Sequence, residues 1–383
     1  MSSLPMPSTD AQQHSQKLCD VIQHDIALQG GWIPFSRFME LALYAPGLGY
    51  YSAGANKFGE AGDFITAPEL SALFGRTLAR QIADIMNLSS PHILELGAGS
   101  GKLACDILTE LEQQGQLPDS YSILEVSADL RLRQQVLLQK KLPHLSSRIH
   151  WLEALPAKIS GAVIGNEVLD ALPVHLVHWS DSHIMERGVA NKGNAFNWED
   201  RLPESATLRE LAQQIKVPDN YLSEISLTAR GLVGSLSERL SKGAMLFIDY
   251  GFGAGEYYHP QRSSGTLMCH YRHTAHDDPF FLVGLQDITS HVDFTAVAES
   301  AIDHGANLLG YTTQAHFLIN GGIGDLIKDI SPDNLREYLP LSAQIQKLTS
   351  PAEMGELFKV IALGKGIDAP LRNFLVGDKS RML

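Results

Sequence analysis

The sequence predicts an α/β fold, a doubly wound parallel sheet with a helical region before it and insertions within it. Three observations carry this. From residue 91 short apolar runs alternate with stretches of helical period, the pattern of strand–helix–strand units. A glycine-rich turn, Gly97-Ala98-Gly99-Ser100-Gly101, joins the first such run to the first such helix. Hydrophobic residues make up 44% of the 383-residue chain against 19% charged, enough to bury a sizeable core and to exclude global disorder.

In chain order, the first dozen residues read as a frayed tail. Leu18, Val21, Ile22 and Ile26 recur at helical spacing until Gly30–Gly31. Phe35, Phe38, Met39, Ala42 and Leu43 repeat the period and Pro46 stops it. Residues 47–68 lack periodicity and mix glycines with Tyr50, Tyr51, Phe58 and Phe64, the texture of an ordered loop. A helix is expected from Pro68 to about Met86. Then come a strand at HILEL (92–96), a helix ended by Gly115, a strand at YSILEV (121–126), a polar helix over 129–141, and strands at RIHWL and GAVIGN. Residues 174–200 alternate like a β-hairpin insertion, and 203–241 are polar and helix-prone. AMLFIDYG is the next core strand, and an irregular region rich in His, Tyr, Gly and Asp fills 251–293. A helix follows with Asp293 as N-cap and Gly305 as its stop; ANLLGYTTQ and ELFKVIALG supply the last strands. The division expected is an N-terminal helical and lid region over 1–90 and a core over 91–383, with insertions at about 174–241 and 251–293.

The net charge of −13 repels phosphate backbones, so nucleic acid is not the expected partner and a cationic one is. Cys19, Cys105 and Cys269 form no disulfide framework or metal-binding spacing. No run reaches the ~20 apolar residues of a membrane helix. The N-terminus shows neither an apolar signal core nor arginines. A cytoplasmic protein without membrane insertion is the expectation.

The chemical signal is the turn. Glycines at i, i+2 and i+4 let the backbone bend tightly and let a ligand touch the main chain, and the helix that follows aims its first amides at that ligand. The spacing is GxGxG rather than the GxGxxG of dinucleotide sites. Glu95, just before Gly97, suits an amino-acid ammonium group better than a pyrophosphate. Glu125, thirty residues on at the end of the second strand, is where an acidic side chain accepts hydrogen bonds from ribose hydroxyls. A ribose, an amino-acid end and no phosphate together describe S-adenosylmethionine.

ELGAGSG (95–101) resembles the first motif of class I S-adenosylmethionine-dependent methyltransferases. Longer blocks resemble one branch, the MidA-like methyltransferases, whose mitochondrial member is a complex I assembly factor that methylates arginine. These blocks are GDFITAPELSALFG (62–75), YSILEVSADLRLRQ (121–134), GNEVLDALPVH (165–175), residues 247–280, GLQDITSHVDFTAVAE (284–299) and GYTTQAHFL (310–318). The mitochondrial form differs around the turn, where this chain has Ala98 and Ser100. The resemblance implies a Rossmann-like sheet of about seven strands with the last antiparallel, S-adenosylmethionine as cofactor, and a protein substrate, with a respiratory-complex subunit among the candidate clients.

Asn166-Glu167-Val168-Leu169-Asp170 follows the fourth strand, which in this superfamily faces the transferring methyl. On a helical turn Glu167 and Asp170, at i and i+3, share one face. There they would grip a guanidinium and take up the proton it loses; helix capping or solvation is the competing reading, and Asn166 is also a candidate cofactor contact. Asp63 and Thr66, in GDFITAPE, are candidates for a lid over the cofactor, with helix capping by Thr66 as the alternative. His270, His273 and His276 could share a helix face as metal ligands, but Tyr271, Arg272 and Pro279 among them argue against a metal, and the resemblance implies a substrate-facing loop there. Tyr250, Phe252, Tyr257 and Tyr258 could surround a cationic side chain or simply pack the loop; Trp32, Trp151, Trp179 and Trp198 carry no functional reading. The function expected is S-adenosylmethionine-dependent methylation of a protein, at arginine. The alternatives are a cofactor-binding assembly chaperone without methyl transfer, a small-molecule methyltransferase, and a dinucleotide oxidoreductase.

Overall fold

The apolar run His92–Leu96 forms strand β1 at the centre of a sheet that organises the larger of two units in this computed structural model. Described are residues 5–53, 66–181, 183–193 and 195–383. The larger unit gathers Ile65–Leu169, Gly231–Gly253 and Val292–Leu383; the smaller gathers Met1–Phe64, Asp170–Arg230 and Ala254–His291.

In the larger unit β1 is joined by β2 (Ser120–Leu124), β3 (Ile149–Leu152), β4 (Ile159–Asn166), β5 (Leu240–Phe252), β6 (Asn307–Thr313) and β7 (Phe358–Lys365). Their order is β6-β7-β5-β4-β1-β2-β3. Strands β1 to β5 pair in parallel, and β7 runs antiparallel to both β5 and β6. The seven-stranded arrangement with an antiparallel last strand therefore forms, extended by the two-residue strand Val292–Asp293 beside the end of β5. The order reverses at β1, and at such a point an α/β sheet opens a crevice beyond its strand ends.

Helix α1 (Ala72–Leu88), α2 (Lys102–Gln113) and α3 (Ala128–Lys141) flank this sheet in sequence. Leu73, Phe74, Leu78 and Ile82 of α1 share one core with Leu103, Ile107 and Leu111 of α2 and with Ile93, Tyr121, Ile164 and Ile248 of the sheet. Each such side chain, fully buried, is worth about 1.5–3 kcal/mol. The single helix expected from Pro68 is in fact two. Residues Ala67–Leu70 make one turn, and Ser71, extended at φ −158°, starts α1 afresh by accepting a hydrogen bond from the Leu73 amide. Asp293 caps the helix Phe294–Asp303 by accepting from the Ala296 amide at 3.1 Å, as its sequence indicated.

The smaller unit holds a five-stranded sheet of Trp32–Pro34, His175–Ser180, His183–Lys192, Ala195–Arg201 and Tyr221–Ile225. The expected hairpin is thus part of a larger antiparallel sheet, and Tyr221–Ile225 lies in a stretch expected to be helical. Buried Glu224 hides that strand in the sequence: it accepts hydrogen bonds from the Thr266 and Leu267 amides at 2.8 and 2.9 Å. The expected N-terminal tail is also shorter, because Ser8 caps a helix running Thr9–Leu28. Its Leu18, Ile22 and Ile26 pack with Phe35, Phe38 and Val189.

Candidate active site

The turn after β1 is held by geometry that needs glycine. Gly97, Gly99 and Gly101 have φ of 59°, 52° and 85°, a region costly for residues with a Cβ. Gly101 caps α2, and a Cβ there would lie 3.2 Å from the Gln134 Cα and 3.3 Å from its Cγ. Gly99 is the opposite case: among the described residues its Cβ direction meets nothing within 4 Å. One glycine is required by packing; the other leaves a face of main chain open to an incoming group. The N-terminal amides of α2 add partial positive charge beside it.

Glu95 is 1% exposed on β1. Its carboxyl accepts a hydrogen bond from the Tyr121 hydroxyl at 2.8 Å and, among the described residues, pairs with no cation. Burial pushes it up to about 8, against the lowering effect of that hydrogen bond. A buried acid in this state suits a ligand that brings its own positive charge.

Glu125 follows β2 and is nearly buried. One of its oxygens accepts from the Ser127 amide at 2.9 Å and the other from the Gln134 side chain at 2.9 Å. Burial raises its pKa and these donors oppose the rise. Each carboxylate oxygen has two lone-pair sites, so both can still accept from a diol. Asn166, at the end of β4, donates to Glu167 Oε1 at 3.0 Å, while its own Oδ1 is buried without a partner among the described residues. Such an oxygen suits a donor on a ligand. The main chain at Gly99, the buried Glu95, Glu125 and the buried Asn166 oxygen all lie in the larger unit, and they fit a nucleoside with an amino-acid tail.

The segment after β4 departs from the expected helical turn. Glu167 has φ 51°, and residues 167–174 contain no helix. Its backbone is committed elsewhere: the Glu167 amide donates to Ile248 O at 2.9 Å and the Leu169 amide to Asp249 Oδ2 at 3.0 Å, both on β5. A shared helix face for Glu167 and Asp170 is therefore absent. Glu167 belongs to the larger unit and is partly exposed. Asp170 opens the next segment of the smaller unit, 5% exposed, with its carbonyl accepting from the Ser290 amide at 3.0 Å. Within that unit Tyr51 donates to Asp287 Oδ1 at 2.9 Å. Burial, then Asp287, Tyr44 and Asp170, hold its phenol well above the usual range.

Asp63 lies outside the described residues. Thr66 occupies the cap position before Ala67–Leu70, yet its side chain makes no capping hydrogen bond. That short helix is tied to the glycine turn: Ser100 donates to Glu69, and Lys102 donates to the Pro68 carbonyl. The helix face proposed for His270, His273 and His276 does not form. They lie on a tight hairpin of Met268–Tyr271 with Thr274–His276, turned by Arg272 and His273 at φ 49° and 60°. No group of three or more His, Cys, Asp or Glu among the described residues could hold a metal ion. Two contributors escaped the sequence reading. Asp249 sits inside an apolar strand that reads as pure core, and Gln134 lies on a polar helix that reads as surface.

Residues 77–312 match Methyltransf_28, a family of S-adenosyl-L-methionine-dependent methyltransferases. A solved superfamily member from Burkholderia thailandensis, bound to S-adenosyl-homocysteine, is 49% identical with a TM-score of 0.95, and 100% of each chain is covered. The protein arginine methyltransferase NDUFAF7 homolog of Drosophila melanogaster, named mitochondrial, is 30% identical over 95% of this chain and 88% of its own. The mitochondrial protein arginine methyltransferase NDUFAF7 of Mus musculus is 28% identical over 87% of this chain and 81% of its own. These relatives overturn the cytoplasmic expectation, which drew only on missing signals and unpaired cysteines; neither observation distinguishes one reducing compartment from another. No helix among the described residues is long and apolar enough to cross a membrane.

Proposed function

This chain belongs to the MidA-like branch of the S-adenosylmethionine-dependent methyltransferases, and from that premise we propose that it methylates arginine side chains of a protein client. The relatives named protein arginine methyltransferase support the acceptor. The resemblance to a complex I assembly factor makes a respiratory-complex subunit the client we favour.

When bound, the cofactor supplies a methyl group on a positively charged sulfur. The residues of the larger unit divide the remaining work. The Gly97–Gly101 turn offers open main chain and helix amides to the amino-acid end, and Glu95 offers its buried carboxyl to the ammonium. Glu125 accepts from the ribose hydroxyls, and Asn166 Oδ1 accepts one further donor. Asp249 fixes the backbone after β4 by accepting the Leu169 amide, which holds Glu167 at the end of the strand. Glu167 takes the proton that the acceptor nitrogen loses, a role suited to a partly exposed carboxylate. Asp170, the other carboxyl with a candidate role toward a guanidinium, belongs to the smaller unit, where it is buried near Tyr51 and Asp287. Thr66, just before the Ala67–Leu70 turn, borders the cofactor.

The observation that carries this reading is the combination of Glu95, buried with no cation beside it among the described residues, and the turn at Gly99, which those residues leave open. Thermal unfolding with S-adenosylhomocysteine and with NAD separates the possibilities. Stabilisation by the first alone supports the reading, and stabilisation by NAD alone refutes it. Loss of specific methylarginine sites from the proteome on deletion then identifies the client. A client that needs the protein but carries no methylarginine points to chaperone action.

A further inference from the structure

We infer that Gln134 is a positioning residue that couples the two ends of the cofactor site, the glycine turn and Glu125, through one fixed orientation of its side-chain amide. It is fully buried on α3. The Trp151 indole N–H, on β3, lies 3.0 Å from Gln134 Oε1. An indole nitrogen only donates, so the amide oxygen must face Trp151 and the NH₂ must face away from it. That NH₂ has two protons and two acceptors: Gly99 O at 2.9 Å and Glu125 Oε2 at 2.9 Å. Trp151 thus sets the polarity of the amide, and the amide ties the turn to the carboxylate.

The backbone reinforces the link. Gly101 lacks the Cβ that would press on the Gln134 Cα, so α3 seats directly against the turn. Other side chains fail for stated reasons. Leucine has no donor, and asparagine is one carbon short of spanning three partners. Glutamate keeps an acceptor for Trp151 but places an oxygen against Gly99 O and Glu125. The amide also places a donor on a carboxylate that burial would otherwise drive toward its neutral form, keeping Glu125 able to accept two hydroxyl hydrogens. This rests on the assignment of Glu125 to the ribose and of the turn to the amino-acid tail.

The test is calorimetric titration of the full chain with S-adenosylhomocysteine, and with adenosine, which has the ribose but no tail, from pH 5 to 9. Wild type is compared with Gln134→Leu, Gln134→Glu and Glu125→Gln. Gln134→Leu should bind S-adenosylhomocysteine about tenfold more weakly near neutrality, the worth of a buried hydrogen bond to a charged group. The acid limb of its binding curve should move to higher pH, and the affinity ratio of S-adenosylhomocysteine to adenosine should shrink. Gln134→Glu keeps the volume and the Trp151 contact, so it provides the same test should the leucine variant fold poorly, and it should lose at least as much. Unchanged affinity, or a loss by the same factor at every pH with the acid limb unmoved, would overturn the inference in favour of packing alone. If Glu125→Gln binds as tightly as wild type, the ribose assignment itself fails and the coupling falls with it.

Discussion

Replacing Glu95 with glutamine should make the ligand-free protein more stable, not less, at alkaline pH. Glu95 is buried beside Tyr121 and displaced from an ordinary 4.5 to about 8. Its folded form holds a proton that its unfolded form releases, so the folded state binds more protons between those two values. Stability then falls as pH rises through that window. The displacement corresponds to roughly 5 kcal/mol as an upper bound. Glutamine preserves the shape and an acceptor for the Tyr121 hydroxyl but cannot ionise. At pH 5 the two proteins should unfold at similar denaturant concentration. At pH 9 Glu95→Gln should exceed wild type by on the order of 3–5 kcal/mol. Saturating S-adenosylhomocysteine should reverse the ranking, because its ammonium stabilises the carboxylate and not the amide. Urea midpoints at five pH values, with and without that ligand, measure both effects. Parallel curves for the two proteins would refute the claim that Glu95 is buried without a compensating cation.

Other outcomes follow from the same geometry. Gly101→Ala should cost about 2–4 kcal/mol in urea unfolding, from left-handed strain plus contact with Gln134, whereas Gly99→Ala should cost about 1 kcal/mol and yet abolish S-adenosylhomocysteine binding by calorimetry. Glu167→Gln should lower methyl transfer by about 10²-fold or more while leaving cofactor affinity within about twofold. Asp249→Ala should lower kcat more than cofactor affinity, since it frees the Leu169 amide behind Glu167; equal losses in both would remove its positioning role.

Much of this arrangement was legible in the sequence because the sheet is buried on both faces. HILEL, GAVIGN and AMLFIDYG are apolar enough to announce strands without alternation, and the glycine turn announces itself by composition. What escaped had physical cause. Tyr221–Ile225 contains a charged Glu224 whose partners lie some forty residues downstream, so no local pattern marks it as a strand. Glu167 and Asp170 have helical spacing, but long-range hydrogen bonds to Ile248 and Asp249 decide their backbone. Gln134 reads as a surface residue because neighbouring positions on its helix are polar; only Trp151, Gly99 and Glu125 together reveal it as buried. Ser71 splits a helix that apolar spacing alone runs together.

The most direct measurement is transfer of labelled methyl from S-adenosylmethionine to a lysate of cells lacking this protein, followed by acid hydrolysis and identification of the labelled amino acid. The account predicts label in methylarginine with the wild-type chain and an initial rate lower by about 10²-fold or more with Glu167→Gln at equal cofactor binding. Label in another amino acid, or no label despite tight S-adenosylhomocysteine binding, would contradict it.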